Sequence, residues 1–238
     1  MSNPYSCSQL TICITAYNEE SNVPALIEDL DRVRDAHPEV RVVIRDNCSQ
    51  DATYSQCCEF ANSRKWIKVV QGALNIGYGG GMRAACLAAE TEYVAIFPAD
   101  RQYPSESLKR AIDTWLESAG KLVIGRRTRR QDGYLPRVQS YIYSTFVSFL
   151  YRLQRIDVNG LPKVFPRALV EQADFNYSKT FFFDAQLIDL ARRHGVDIEE
   201  CEVKFLKRRE GVSSWSNKRL TTSVRIAIEV LKFRMIGK

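Results

Sequence analysis

Apolar positions along this chain follow two periodicities. Short runs rich in Ile, Val and Leu predict buried strands at residues 10–15, 40–45, 67–70, 93–97 and 122–124. Between them, apolar residues recur every three or four positions and predict helices over 19–36, 50–63, about 79–90 and 105–118. Strands alternating with helices of this length imply right-handed crossovers, hence an α/β fold with a mixed, mainly parallel sheet flanked by helices. Beyond residue 126 the pattern changes. Residues 126–136 are polar, basic and turn-rich, and predict a loop. A helix is expected over 137–154, with Ile142, Phe146, Phe149, Leu150 and Leu153 on one side and no acidic residue. A strand at 163–166, a helix over 184–194, a strand at about 198–205 and a helix at about 220–235 follow. On the last of these, Leu220, Val224, Ile228, Leu231 and Met235 share one face. The expectation is a single domain with two halves, about 8–125 and about 126–238, the second carrying amphipathic helices.

In an open parallel sheet, ligands bind beyond the carboxyl ends of the strands. Four predicted strand ends here run into polar, loop-forming residues. They are Thr15-Ala16-Tyr17-Asn18-Glu19-Glu20, Asp46-Asn47-Cys48-Ser49-Gln50-Asp51, Asn75-Ile76-Gly77-Tyr78-Gly79-Gly80-Gly81, and Pro98-Ala99-Asp100-Arg101-Gln102-Tyr103-Pro104. Parallel strands would bring all four to one edge and one crevice.

At 238 residues, 45% apolar and 26% charged, the chain reads as globular. No stretch reaches the roughly 18 apolar residues that span a bilayer. Residues 1–9 lack the basic-then-apolar order of a signal peptide, so the cytoplasm is the expected location. Seven cysteines without C-x-x-C spacing and only two histidines offer no zinc constellation, and the thiols read as reduced core residues. The net charge of +6 is concentrated in Arg126, Arg127, Arg129 and Arg130, and in Lys204, Lys207, Arg208 and Arg209. Such clusters suit a solvated face, an anionic ligand or an anionic membrane surface. No base-stacking motif or recognition module accompanies them, so nucleic acid is not expected as a partner.

The strand-end motifs, in order and spacing, resemble those of the family 2 glycosyltransferases of the GT-A fold, and among these the dolichyl- and polyprenyl-phosphate sugar synthases. Tyr17-Asn18-Glu19 stands for the first family motif, and Asp46, Ser49, Asp51 and Thr53 for the second. Asn75 and Gly77 stand for the third, Asp100, Gln102 and Pro104 for the fourth, and Arg208, Gly211 and Ser213 for the last. The resemblance runs from about residue 10 to 215. It implies a Rossmann-like half that binds a UDP- or GDP-sugar and a second half that shapes the acceptor site. The reaction implied is inverting transfer of the sugar to a polyprenyl or dolichyl phosphate at the cytoplasmic face of a membrane, in cell-envelope glycan synthesis. A glycan or other hydroxyl acceptor, or a catalytically weakened nucleotide-sugar binder, are the alternatives.

By the same resemblance, Thr15, Tyr17, Glu19, Asp46, Asn75 and Asp100 would hold the nucleotide. Asp46 suits a base N–H, and Glu19 a ribose hydroxyl. Turn or capping roles are the plainer alternatives. The family's D-x-D carboxylate pair is reduced here, because Pro98 replaces the first Asp while Asp100 and Gln102 remain. Those two would be the protein's ligands for Mg²⁺ or Mn²⁺; otherwise basic residues would stabilise the leaving group alone. Asn47 likewise replaces the second family Asp of the base-binding motif. Arg127, Arg137 and Arg208 fall at or beside positions where the family places arginines near phosphates. Asp184 would be a general base for a hydroxyl acceptor, an acceptor-site residue or a helix N-cap. Asp157 matches a recurrent family Asp, whereas Leu161-Pro162-Lys163 departs from the usual glycine-aromatic pair.

Overall fold

The computed structural model describes residues 5–118, 120–128, 131, 133–150, 156–171 and 182–207. Among these residues, seven strands form one sheet: β1 (Leu10–Ala16), β2 (Arg41–Asp46), β3 (Ile67–Gln71), β4 (Tyr93–Ile96), β5 (Leu122–Thr128), β6 (Lys163–Pro166) and β7 (Ile198–Lys204). Their order is β3-β2-β1-β4-β6-β5-β7. All pairings are parallel except those of β6, which runs antiparallel to both β4 and β5. β1 is buried along nearly its whole length, as a central strand covered on both faces must be. The helices are α1 (Val23–Ala36), α2 (Thr53–Asn62), α3 (Gly77–Leu87), α4 (Ser105–Glu117), α5 (Tyr134–Leu150), the short α6 (Ala168–Glu171) and α7 (Phe182–Arg193). Trp115 of α4 is fully buried and meets the rings of Tyr5 and Tyr93 at 5.9 and 5.0 Å.

The strand order reverses between β1 and β4, so their carboxyl ends open a crevice there. β1, β2, β3 and β4 run parallel, so all four polar loops do emerge at one edge.

Several boundaries differ from the periodicity reading, each for a local reason. α1 begins at Val23 rather than residue 19, with Pro24 in its first turn, where no N–H is needed. α2 begins at Thr53 rather than residue 50, because Asp51 Oδ1 accepts from Thr53 N (3.0 Å) and Thr53 Oγ1 (2.6 Å). Within the expected loop at 126–136, β5 instead continues through Arg126, Arg127 and Thr128, paired with Glu202, Val203 and Lys204 of β7. There Arg126 forms ion pairs with Glu200 and Glu202 across the ladder, which lets a polar run extend a strand. α5 then starts at Tyr134, with Pro136 inside its first turn. The C-terminal helix expected near 220–235 and residues 151–154 of the expected helix 137–154 lie outside the described residues.

Candidate active site

The first two loops are bound to each other. Asn18 takes a left-handed backbone (φ 54°), its N–H donates to Ser49 Oγ (3.0 Å), and its Oδ1 accepts from Gln50 N (2.9 Å). Glu19 N donates to Thr53 Oγ1 (2.8 Å), and Glu20 Oε2 accepts from Ala52 N (2.9 Å). Burial would raise the Asp51 carboxyl, but the hydrogen bonds from Thr53 and from the Glu20 backbone outweigh it and hold it below the ordinary range. Asp46, at the end of β2, is fully buried and accepts from Ser49 N through both oxygens (3.3 and 3.1 Å). The Glu19 carboxylate accepts from Asn22 Nδ2 (2.6 Å). Tyr17 is among the exposed large side chains of the chain, at 38%.

Asn47 joins the second loop to the third. Its Oδ1 accepts from the Arg45 guanidinium and from Ile76 N (3.3 Å), while its Nδ2 donates to Asn75 Oδ1 (2.9 Å) and Gly77 O (3.2 Å). Asn75 Oδ1 also accepts from Gly77 N (2.9 Å). This gives a physical account of the missing carboxylate. An aspartate at 47 would face two acceptors with nothing to donate, whereas the amide satisfies both. Burial also pushes the Arg45 guanidinium down from its ordinary value. Among the described residues, Thr15 Oγ1 is buried without a hydrogen-bond partner and faces Gly81 of α3, where any Cβ would overlap it. Gly81 thus lets α3 close on the sheet beside the crevice.

The fourth loop carries Asp100 and Gln102. Asp100 Oδ1 accepts from Gln102 N (3.2 Å) across Arg101, which has φ 57°. Leu206 N donates to Gln102 O (2.8 Å), and Gln102 Nε2 donates to Leu206 O (3.4 Å), tying this loop to the chain after β7. With its amide nitrogen so placed, Gln102 keeps its carbonyl oxygen as an acceptor. Among the described residues, no three His, Cys, Asp or Glu side chains converge as a metal cage. One carboxylate and one amide oxygen are hard donors that suit Mg²⁺ or Mn²⁺ when a diphosphate and water complete the shell.

On the other side of the strand ends, Arg127 grips Asp157 with Nε (2.8 Å) and Nη2 (2.6 Å), and Arg127 N donates to the same carboxylate (3.1 Å). Arg127 Nη2 also donates to Ser140 Oγ of α5 (2.7 Å), and its guanidinium lies over the Phe205 ring at 5.4 Å. Burial would raise the Asp157 carboxyl, but Arg127 outweighs it and holds it below the ordinary carboxylate range. Arg137 is exposed on α5, one turn before Ser140. Arg208 lies outside the described residues, although the chain leading to it is fixed at Leu206 and by Lys207 N donating to Gln131 Oε1 (3.4 Å).

Asp184 sits inside the first turn of α7, 1% exposed, and its Oδ1 accepts from Lys163 Nζ at 2.6 Å. Lys163 is itself fully buried at the start of β6 and also donates to Gly160 O (2.8 Å). Burial pushes the Asp184 carboxyl up and the Lys163 ammonium down, each opposed by the other. The Tyr78 phenol of α3 shares in this group through Asp184. Lys163 is the residue that sequence reasoning passed over. The available signal was a single lysine opening an otherwise apolar strand.

Thr15, Tyr17, Glu19, Asp46, Asn75, Asp100 and Gln102 thus lie on loops at one sheet edge, while Arg127 lies near the end of β5, Arg137 lies on α5 and Asp184 is buried against Lys163. Residues 11–175 match the family described as glycosyl transferase family 2. A putative glycosyltransferase CsbB of Bacillus subtilis (strain 168) is 25% identical over 240 residues, covering 95% of this chain and 73% of that protein. A polyprenol monophosphomannose synthase of Mycolicibacterium smegmatis is 26% identical over 216 residues, covering 86% of this chain and 80% of that one. Glucosyl-3-phosphoglycerate synthase from Mycobacterium tuberculosis, crystallised with Mn²⁺, UDP and phosphoglyceric acid, superposes with a TM-score of 0.73. It shares 16% identity and covers 94% of this chain and 78% of its own, which establishes the common GT-A fold. The matched family spans more than half of the chain and runs through the four strand-end loops, so the chain belongs to glycosyl transferase family 2 and is a glycosyltransferase.

Proposed function

We propose that this enzyme transfers a sugar, with inversion, from a UDP- or GDP-sugar to a polyprenyl phosphate. The observation that carries the acceptor assignment is the burial of Asp184. A hydroxyl acceptor needs a general base within reach, and the carboxylate nominated for that work is 1% exposed and ion-paired to Lys163. A phosphate monoester is already an anionic nucleophile and needs none. One of its oxygens would attack the anomeric carbon as the bond from that carbon to the β-phosphate oxygen breaks. The nucleoside diphosphate leaves, and no proton changes hands.

In this reading Thr15, Tyr17, Glu19, Asp46 and Asn75 position the nucleotide. Asp46 engages the base by exchanging its hydrogen bond from Ser49. Asp100 and Gln102 would hold a Mg²⁺ or Mn²⁺ ion, whose chemistry would be to neutralise charge on the departing diphosphate. Arg137 and Arg208 supply cations to the acceptor phosphate or the leaving group. Arg127, bidentate on Asp157, acts chiefly by fixing Ser140 and the acceptor-side turn. The exposed Tyr134, Tyr141, Ile142 and Phe149 of α5, alongside Arg137, suit peripheral contact with a membrane carrying the lipid acceptor.

The test is incubation of the purified enzyme with UDP- and GDP-hexoses and a short-chain polyprenyl phosphate in detergent, with Mn²⁺ or EDTA, read by mass spectrometry. A glycosyl-phosphoryl lipid formed from one donor class is the expected product. Transfer to soluble glycans with no lipid product would overturn the acceptor assignment. Nucleotide binding without any transfer would favour a weakened homologue.

A further inference from the structure

We infer that Asp29, in the second turn of α1, is a positioning residue that holds the Asp100–Gln102 loop in its metal-ready form by clamping Arg101. This rests on the reading that Asp100 and Gln102 hold a divalent cation. The turn that brings Gln102 N onto the Asp100 carboxylate passes through Arg101, a non-glycine residue in the left-handed region (φ 57°). Such a conformation persists in an arginine only where its surroundings enforce it.

On one side the loop is enforced by the two hydrogen bonds between Gln102 and Leu206. On the other side stands Asp29. Its Oδ2 lies 3.6 Å from Arg101 Nε, and its Oδ1 accepts from Arg32 Nη1 at 2.8 Å. Asp29 is only 10% exposed at the side chain, and Arg101 is the better buried of its two arginines, at 27% against 54% for Arg32. Arg101 Nε is shielded from solvent and makes no hydrogen bond among the described residues, so the ionic contact with Asp29 is what anchors it there. Beside this contact lies a cavity of about 180 Å³, lined by Asp29, Arg32, Arg101, Ser105, Glu106 and Leu206. The Arg101 contact therefore borders open space, while Ala99 and Tyr103 on either side of the turn are buried in the core.

The inference is tested with Asp29→Asn, Arg101→Gly, their combination, and Asp100→Ala. Mn²⁺ is titrated calorimetrically into enzyme with UDP or GDP present, and nucleotide affinity is measured separately in EDTA. Asp29→Asn is expected to raise the half-saturating Mn²⁺ concentration about 10-fold, with nucleotide affinity in EDTA unchanged. Glycine accepts the left-handed backbone without a clamp. Adding Asp29→Asn to Arg101→Gly should therefore produce no further weakening. An unchanged Mn²⁺ requirement in Asp29→Asn, or an equal effect of that change in both backgrounds, overturns the inference. Should Asp29→Asn fail to fold, Arg101→Gln removes the same contact from its other end and is read against the same criteria. Unaltered Mn²⁺ binding in Asp100→Ala would instead remove the metal reading on which the inference stands.

Discussion

Lys163 and Asp184 show how much one buried charge can require of its neighbour. Each is essentially without solvent, and each offsets the desolvation of the other. Lys163→Met leaves a carboxylate stranded in the core and is expected to cost about 3–5 kcal/mol in urea unfolding at neutral pH. Replacing both, Lys163→Met with Asp184→Leu, should recover most of that loss. If the single variant unfolds like the wild type, the pair is not the anchor described. Asn47 works on the same scale with neutral groups. Three of its four contacts join the β2 and β3 loops, at about 1 kcal/mol net apiece, and their value lies in leaving no acceptor unmet. The motif residues themselves were legible in the sequence, since strand ends and polar loops follow from periodicity. Their partners were not. That Asp184 meets Lys163, or that Arg127 meets Asp157, depends on β6 and the turn at Asp157 closing on residues distant in the chain, which no spacing encodes.

Among the described elements, α5 carries several exposed large apolar side chains. Val147 and Ser148 are buried, while Tyr134, Tyr141, Ile142 and Phe149 face outward at 53–83% exposure. Apolar rings left in water at this density gain from any apolar surface they meet, about 1.5–3 kcal/mol for each large side chain fully buried. Phe149→Ser together with Ile142→Ser should reduce co-sedimentation with anionic lipid vesicles by about 10-fold or more while leaving nucleotide affinity intact. Equal sedimentation of variant and wild type would detach α5 from the membrane reading. The element boundaries also mark where the sequence ceased to be informative. Polar residues in β5 looked like loop because their strand character comes from Arg126 pairing across to Glu200 and Glu202. Helix α1 was drawn too long because residues 18–20 satisfy their backbone groups on the second loop instead of within a helix.

For the whole molecule, carboxylates held below their ordinary values weaken the fold in acid, opposed by Asp184 and Glu200, which burial pushes up. Asp157 is one, through Arg127, and Asp51 and Glu106 are others. A depressed carboxylate binds fewer protons folded than unfolded, so its stabilisation is complete above the ordinary aspartate value of 3.8 and is lost as pH falls through the lower folded value. Thermal stability should therefore fall as pH drops below about 4. Asp157→Asn should lose less over that range than the wild type, having already forfeited part of the stabilisation at neutral pH. Parallel slopes for the two proteins would show that the Arg127 pair contributes nothing to acid lability.

The antiparallel setting of β6 has a consequence for how the chain is made. Val94 of β4 pairs with Phe165 of β6, 71 positions later, and β5 completes its pairing only with β7. As the polypeptide leaves the ribosome, the first four strands can assemble, but the free edge of β4 stays open until β6 has been synthesised. A nascent chain stalled or cut near residue 125 would present an apolar strand edge to solvent, an invitation to aggregation that the finished sheet removes.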